Sequence, residues 1–205
     1  MSGSVPDSTA PDGALWERFL TVTTAEQTHA LAAALAGVLE PGDLLVLTGE
    51  LGAGKTTFTQ GLGEGLGVRA GIISPTFVLV RIHPNLPDGP RPGGPDLVHV
   101  DAYRLGSSAE IDDIDLENTM DSSVTVVEWG RDRVEHLADS RLDIQLHRSV
   151  GGAAGARGAS QEPDAVLDFD TEDDDEPRTI VVRGYGPRWA DAPAILGPAP
   201  REEEA

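Results

Sequence analysis

Residues 49–57 read Gly49-Glu50-Leu51-Gly52-Ala53-Gly54-Lys55-Thr56-Thr57, which matches the pattern G-x-x-x-x-G-K-[ST] of a phosphate-binding loop. The preceding run Leu44-Leu45-Val46-Leu47 is continuously apolar, as is typical of a buried strand. After the loop, residues 55–66 are expected to form a helix that ends near Gly67. The loop therefore lies between a strand and a helix, which is the context that the motif requires.

The residue types of this loop suit the binding of a polyphosphate. Glycine lets backbone N–H groups approach anionic oxygens closely, and the N-terminus of the next helix adds a partial positive charge. Lys55 is expected to bridge the β- and γ-phosphates of a nucleotide, and the Thr56 hydroxyl is expected to ligate Mg²⁺. Of the 15 lysine and arginine residues, Lys55 is the only lysine. We therefore predict that the loop binds ATP with Mg²⁺ and supports its hydrolysis.

Length and composition bound the class of protein. The 205 residues suffice for one domain with a hydrophobic core, and the absence of cysteine excludes disulfides and cysteine zinc sites. The sequence has neither a long apolar run nor a secretory signal pattern at its start, so we expect a cytoplasmic protein. With 35 acidic side chains against 15 basic ones, direct binding of nucleic acid is disfavoured.

The order of apolar runs and turn residues predicts an α/β protein, with the three-layer P-loop NTPase fold and a mixed β-sheet. Strands are expected at 18–22, 44–47, 77–82, 97–103, 124–127, 141–147 and 179–182. Helices are expected after Thr24 and at 55–66, 107–116 and 131–138. The strands at 77–82 and 97–103 are expected to pair as an antiparallel hairpin around the Pro/Gly-rich segment 83–96.

Composition also predicts the domain organisation. We expect a disordered N-terminal segment at 1–14, the domain core at 15–148 and a disordered acidic insertion at 149–177. Between Glu162 and Glu176 there are nine carboxylates and no basic residue, so little apolar surface is available for burial. A closing strand of the same domain is expected within 178–190, followed by a disordered tail at 191–205.

Acidic residues on later strands are candidate partners of the loop. Glu128 ends an apolar run, where an acid of a P-loop protein holds Mg²⁺ or polarises the attacking water; an acid that leaves a strand for solvent is the alternative. Alternation places His99, Asp101 and Tyr103 on one strand face. In one interpretation, Asp101 completes the coordination shell of Mg²⁺ or activates water. In the other, it belongs to an ordinary polar strand face. His99 is interpreted as structural.

Two further features have alternative interpretations. The hydroxyls of Ser74 and Thr76 could sense a γ-phosphate as part of a switch segment, or they could belong to a Ser-Pro turn that leads into a strand. Trp129 could stack on a base or fill the core, and core filling is the commoner role of aromatic side chains.

The motifs occur in the order G-E-L-G-A-G-K-T-T, S-P-T-F, H-V-D-A-Y-R-L and V-E-W. In this combination the chain resembles the TsaE family, also called YjeE, the small ATPase of bacterial tRNA threonylcarbamoyladenosine biosynthesis. The resemblance covers residues 19–129 and the Gly-Pro-Arg-Trp stretch at 186–189. The 83–96 loop and the acidic insertion depart from the family pattern, because both are longer than usual there.

The resemblance implies roles for individual residues. Lys55, Asp101 and Glu128 are the expected catalytic residues, and Thr56 joins the two carboxylates as an expected metal ligand. The residues expected to contact ATP are Gly49, Glu50, Leu51, Gly52, Ala53, Gly54, Lys55, Thr56, Thr57, Ser74, Thr76 and Trp129.

The resemblance also implies partners. The family's protein works with a kinase-like transferase subunit and its paralogue, which install a threonylcarbamoyl group on the adenosine next to the anticodon of tRNAs that read codons beginning with A. ATP hydrolysis is expected to reset that complex, and tRNA is expected to be contacted only through the partners. Two alternatives follow from the residues alone: a P-loop small-molecule kinase, and a nucleotide-gated binding module without turnover.

Overall fold

The computed structural model describes residues 13–105, 107–112, 114–148 and 177–198. These residues form a mixed seven-stranded sheet with the order β1-β7-β6-β2-β5-β4-β3. The strands are β1 (Trp16–Val22), β2 (Leu44–Gly49), β3 (Val80–His83), β4 (Asp96–Asp101), β5 (Ser123–Glu128), β6 (Arg141–Arg148) and β7 (Arg178–Tyr185). The α-helices are α1 (Ala25–Ala36), α2 (Lys55–Leu66), α3 (Ser108–Asp112) and α4 (Glu117–Met120).

Helices cover both faces of the sheet. On one face, α1 and α2 bury a cluster that includes Leu35, Phe58 and Leu62 against the strands. On the other face, α3, α4 and the turns around them enclose a second cluster that includes Ile111 and Met120. The central strands β4, β5, β2 and β6 run parallel, whereas β3, β7 and β1 join by antiparallel pairing. The predicted α/β fold with three layers and a mixed sheet is confirmed.

The segment between α2 and β4 differs from its prediction. The expected strand at 77–82 begins only at Val80, because the N–H groups of Val78 and Leu79 both donate to Pro75 O, at 2.9 and 2.7 Å, and close a turn. Leu79 adopts a φ of 65°, which interrupts extended backbone. The antiparallel pairing of β3 with β4 is confirmed.

The strand predicted at 97–103 ends earlier, at Asp101. The carboxylate of Asp101 accepts a hydrogen bond from Tyr103 N at 2.9 Å and starts a 3₁₀ helix over Ala102–Arg104. Tyr103 therefore does not continue the strand face that carries His99, and its side chain is exposed.

The helix predicted at 131–138 is wrong. Only Glu135–Leu137 forms a 3₁₀ turn there, and the Glu135 carboxylate accepts from the N–H groups of Asp132 and Val134. Asp132 has a φ of 63°, which a helix does not allow. The helix predicted at 107–116 is too long: α3 covers Ser108–Asp112, and α4 begins at Glu117, beyond the predicted range.

The closing segment after β7 packs onto the start of β2. Arg188 donates to both oxygens of Asp43, each at 3.1 Å, and Trp189 is buried. The chain then forms a 3₁₀ turn over Ala194–Leu196 that buries Leu196, so the tail expected from residue 191 is packed in its first part. The disorder predicted for 1–12, 149–176 and 199–205 concerns residues outside the described ones. In the described ranges, no helix has the length and apolarity needed to cross a membrane.

Glycines on α2 set the distance between α1 and α2, and thereby the position of the loop that precedes α2. A Cβ atom at Gly61 would lie 2.2 Å from His29 O, and one at Gly65 would lie 2.3 Å from Ala33 O. Both distances are shorter than any real contact of a Cβ atom. The helices therefore pack backbone against backbone, and any side chain at these positions would push α2 away from α1.

We expect Gly61→Ala to lower the free energy of unfolding by about 2 kcal/mol, because overpacking outweighs the gain of about 1 kcal/mol in helix propensity. Urea denaturation of the variant and the wild type measures the difference. Glu64→Ala, an exposed change on the same helix, is the control and should have little effect. A Gly61→Ala protein as stable as the wild type would contradict this packing.

Candidate nucleotide-binding site

The predicted phosphate loop connects the end of β2 to the start of α2. Its glycines adopt positive φ values, 153° at Gly49, 76° at Gly52 and 99° at Gly54. A side chain at Gly49 is also excluded by space, because its Cβ would lie 2.5 Å from Leu146 O. Gly54 is the N-cap of α2 and provides no side chain to satisfy the first N–H groups of the helix. This helix terminus is thus suited to an anion.

The other residues of the loop differ in burial and in their contacts. Ala53 N donates to Glu50 O at 3.1 Å, and the Ala53 methyl group is buried. Leu51 points outward and is 83% exposed. Thr56 and Thr57 lie half-buried in the first turn of α2, directly after the loop.

Lys55 lies within the loop and is buried. Its Nζ donates to Gly49 O at 2.9 Å and to Glu50 O at 3.0 Å, and it lies 4.0 Å from the centroid of the Trp129 ring. Burial lowers the pKa of Lys55 below its ordinary value, while the negative charges of Glu128 and Asp101 act in the opposite direction. The ammonium group is therefore held by two loop carbonyls, within range of the negative charges of the two carboxylates.

Asp101 and Glu128 end two neighbouring parallel strands. They are register partners of β4 and β5, and Glu128 in turn pairs with Leu47 of β2. Each of the two acids is only 2% exposed. Because β2, β5 and β4 are parallel, their carboxyl ends lie at the same edge of the sheet, beside the phosphate loop. The three residues predicted as catalytic are thus brought together.

Asp101 ties the Ser-Pro-Thr segment to this edge. Its Oδ2 accepts hydrogen bonds from Ser74 Oγ at 2.8 Å and from Thr76 Oγ1 at 2.6 Å, and its Oδ1 accepts from Tyr103 N. The two hydroxyls lie 2.9 Å from each other. The candidate switch segment and the candidate acid thus form one hydrogen-bonded unit, and a cation bound by Asp101 Oδ2 would compete with these hydroxyls.

His99 contacts Glu128, a contact that the sequence interpretation missed. The two groups are buried, and His99 Nε2 lies 2.8 Å from Glu128 Oε1. Nε2 is the donor, because a carboxylate can only accept. Within the described residues, His99 Nδ1 has no hydrogen-bond partner. The register of β4 and β5 explains this contact. Glu128 pairs with Asp101, and His99 lies two residues before Asp101 on the same strand face, so His99 and Glu128 are diagonal neighbours.

Trp129 lies beside the loop and outside the two apolar clusters. It is half-buried and has a φ of 61°, a backbone conformation that costs a non-glycine residue about 1–3 kcal/mol. Its N–H donates to Leu47 O at 2.9 Å, which joins the end of β5 to β2. The indole ring packs against Lys55 and against Tyr103, whose ring centroid is 5.3 Å away.

The oxygen donors fit a magnesium ion that is shared with phosphates. Mg²⁺ in such sites is held by one or two carboxylates and hydroxyls, with phosphate and water oxygens completing its shell. Thr56, Asp101 and Glu128 supply donors of this kind. No group of three or more His, Asp or Glu residues within the described ranges could enclose a metal by itself. The donor set therefore fits a nucleotide-bound Mg²⁺ better than a permanent metal centre.

Comparison with known proteins agrees with the motifs. The model of the family "Threonylcarbamoyl adenosine biosynthesis protein TsaE" matches residues 22–154. A tRNA threonylcarbamoyladenosine biosynthesis protein TsaE from Streptomyces coelicolor is 49% identical over 159 residues, which cover 77% of this chain and 90% of the relative. The protein of the same name from Bacillus subtilis is 40% identical over 125 residues, 60% of this chain and 73% of the relative.

The fold has a solved counterpart as well. The crystal structure of Bacillus subtilis YdiB superimposes with a TM-score of 0.56 at 30% sequence identity, covering 83% of this chain and 87% of YdiB. Motif order, sheet architecture and sequence identity point to the same family. The chain belongs to the TsaE family, the family of threonylcarbamoyl adenosine biosynthesis proteins.

Proposed function

We propose that this protein is a Mg²⁺-dependent ATPase subunit that supports threonylcarbamoylation of the adenosine next to the anticodon. The observation that carries the proposal is the convergence of the buried Lys55 ammonium with the carboxylates of Asp101 and Glu128 beside the glycine loop. Families with this loop use such an arrangement to bind a nucleoside triphosphate and to direct water onto its terminal phosphate.

The residues of the site have different roles in binding and hydrolysis of ATP. The glycine loop and Lys55 would hold the phosphates, and Thr56 with the two carboxylates would hold Mg²⁺. The ion would supply electrostatic stabilisation for the charge that develops on the phosphoryl oxygens. Glu128, fixed by His99, orients the attacking water. Ser74 and Thr76 reach the same edge through Asp101, so the γ-phosphate can be sensed by the segment that carries them.

Partners follow from family membership and charge. The relatives are named for tRNA threonylcarbamoyladenosine biosynthesis, which requires a transferase chemistry that this domain is not expected to perform. We infer that the chain acts with a transferase subunit and its paralogue, in the cytoplasm. A formal net charge of −20 supports contact with tRNA only through those partners.

Phosphate release from Mg²⁺–ATP tests the proposal as a whole. We expect slow release by the isolated protein and faster release when the transferase subunit and its paralogue are added, because transition-state charge is then better stabilised. Phosphate that appears on an added small-molecule acceptor instead of in water would favour a kinase. Tight ATP binding without release under any condition would favour a nucleotide-gated binding module.

Lys55→Ala tests the phosphate cradle. Loss of charge-assisted hydrogen bonds worth about 1.5–3 kcal/mol should weaken Mg²⁺–ATP binding about ten- to a hundredfold. Isothermal titration calorimetry measures the change. Lys55→Arg is a second variant, since a planar guanidinium does not replace a compact ammonium between the phosphates, and it should also bind weakly. ATP affinity that survives both changes would argue against the proposed site.

Glu128→Gln separates binding from chemistry. The substitution keeps the shape of the side chain and an oxygen that accepts from His99, but it removes the charge that orients water. We expect kcat for ATP hydrolysis to fall about 10²–10⁴-fold, while the affinity for Mg²⁺–ATP changes far less. Asp112→Asn, which alters an exposed carboxylate on α3, is the matched control and should leave both quantities unchanged. Weaker Mg²⁺–ATP binding with an unchanged kcat would assign Glu128 to binding alone.

A further inference from the structure

Two arginines lie side by side next to the phosphate loop, on the side away from the catalytic carboxylates. Arg148 ends β6, Arg178 begins β7, and the two are direct register partners in this antiparallel pair. Leu146 and Ile180, each two residues from one of the arginines towards the middle of its strand, are also partners, and both are fully buried on the α1/α2 face of the sheet. Strand alternation therefore places both arginines on the face that carries the loop and α2.

The arginine side chains approach the loop glycines directly. A Cβ atom placed on Gly52 would lie 3.6 Å from Arg148 Nη1, and one placed on Gly54 would lie 3.8 Å from Arg178 Nε. Arg178 is only 6% exposed, whereas Arg148 is half-buried. The two guanidinium groups thus border the turn whose backbone N–H groups are expected to surround the phosphates.

The juxtaposition of the two arginines suits the binding of an anion. Like charges directly opposite each other on neighbouring strands repel, and an anion that contacts both guanidinium groups reduces that repulsion. Each arginine already has an interaction within the protein, so a bound anion would share or displace that contact. Arginine is well suited to phosphate, because its planar fork of N–H groups donates two hydrogen bonds at once.

The sheet order indicates which part of a nucleotide they meet. The carboxylates that serve the terminal phosphate stand on β5 and β4, on one side of β2, whereas Arg148 and Arg178 stand on β6 and β7, on the other side. We propose that this arginine pair binds the α- and β-phosphates of the nucleotide, the part that remains after hydrolysis. The inference deepens the proposed ATPase function and rests on it.

The two arginines should differ from Lys55 and Glu128 in their effect on ATP and ADP. Contacts to phosphates that stay bound stabilise ATP and ADP alike, so they change affinity without favouring the transition state. Arg148→Gln and Arg178→Gln should therefore each weaken Mg²⁺–ADP and Mg²⁺–ATP by about the same factor, roughly tenfold, with little change in kcat.

Calorimetric titration of the full chain with Mg²⁺–ADP, Mg²⁺–ATP and pyrophosphate tests the proposal. Arg141→Gln is the matched control, because it removes the same charge from the opposite end of β6. The expected result is parallel weakening for all three probes in the Arg148 and Arg178 variants, and wild-type affinities in the control. If Arg178→Gln fails to fold, Arg178→Lys keeps the charge, and Arg148→Gln, at a half-exposed position, still tests the pair.

Other outcomes overturn the assignment in distinguishable ways. Weakened ADP binding with unchanged pyrophosphate binding would show that the arginines contact the nucleoside. Unchanged affinities in both arginine variants, together with weak binding by Lys55→Ala, would refute the arginine contact and leave the ATPase proposal intact. A wild-type protein that binds none of the probes would refute both.

Discussion

The parallel register of β2, β5 and β4 is the constraint on which the rest of this site depends. It sets Leu47, Glu128 and Asp101 in line across three strands and leaves the phosphate loop as the direct continuation of the first. A shift of one residue in either pairing would turn a carboxylate to the other face of the sheet. Both faces of these strands are buried under helices, so such a shift would also expose apolar side chains and bury polar ones.

The same edge contains charged and polar side chains that are nearly withdrawn from solvent. Lys55, Asp101, Glu128 and His99 are each 6% exposed or less. Burial of an ion is unfavourable unless hydrogen bonds or opposite charges compensate, and each of these groups has such partners: loop carbonyls for Lys55, hydroxyls for Asp101 and an imidazole for Glu128. The partners hold the side chains in place before any ligand arrives, so less ordering remains to be done on binding.

Sequence patterns predicted the elements whose signal is local. The strand, loop and helix around Lys55 were predicted almost to the residue, because an apolar run, glycines and a terminal Gly67 mark their limits. The prediction of a helix at 131–138 failed. The Glu135 carboxylate binds backbone N–H groups beside Asp132, which has left-handed backbone, and helical periodicity does not reveal such bonds. The contact of His99 with Glu128 joins residues on different strands, and it appears only once their register is known.

The hydrogen bonds of Asp101 connect this edge of the sheet with an exposed turn on the protein surface. Its Oδ2 holds both Ser74 and Thr76, and the turn that follows them presents Phe77, which is 84% exposed, together with Val78. A cation that binds Asp101 Oδ2 would replace at least one hydroxyl, because the two hydroxyls and the cation compete for the lone pairs of this oxygen. The released hydroxyl then has to find a new acceptor, for which a terminal phosphate is suited. Under the proposed function, the position of the exposed apolar turn would therefore depend on the ligand that Asp101 contacts, because Asp101 Oδ2 binds both hydroxyls that precede the turn.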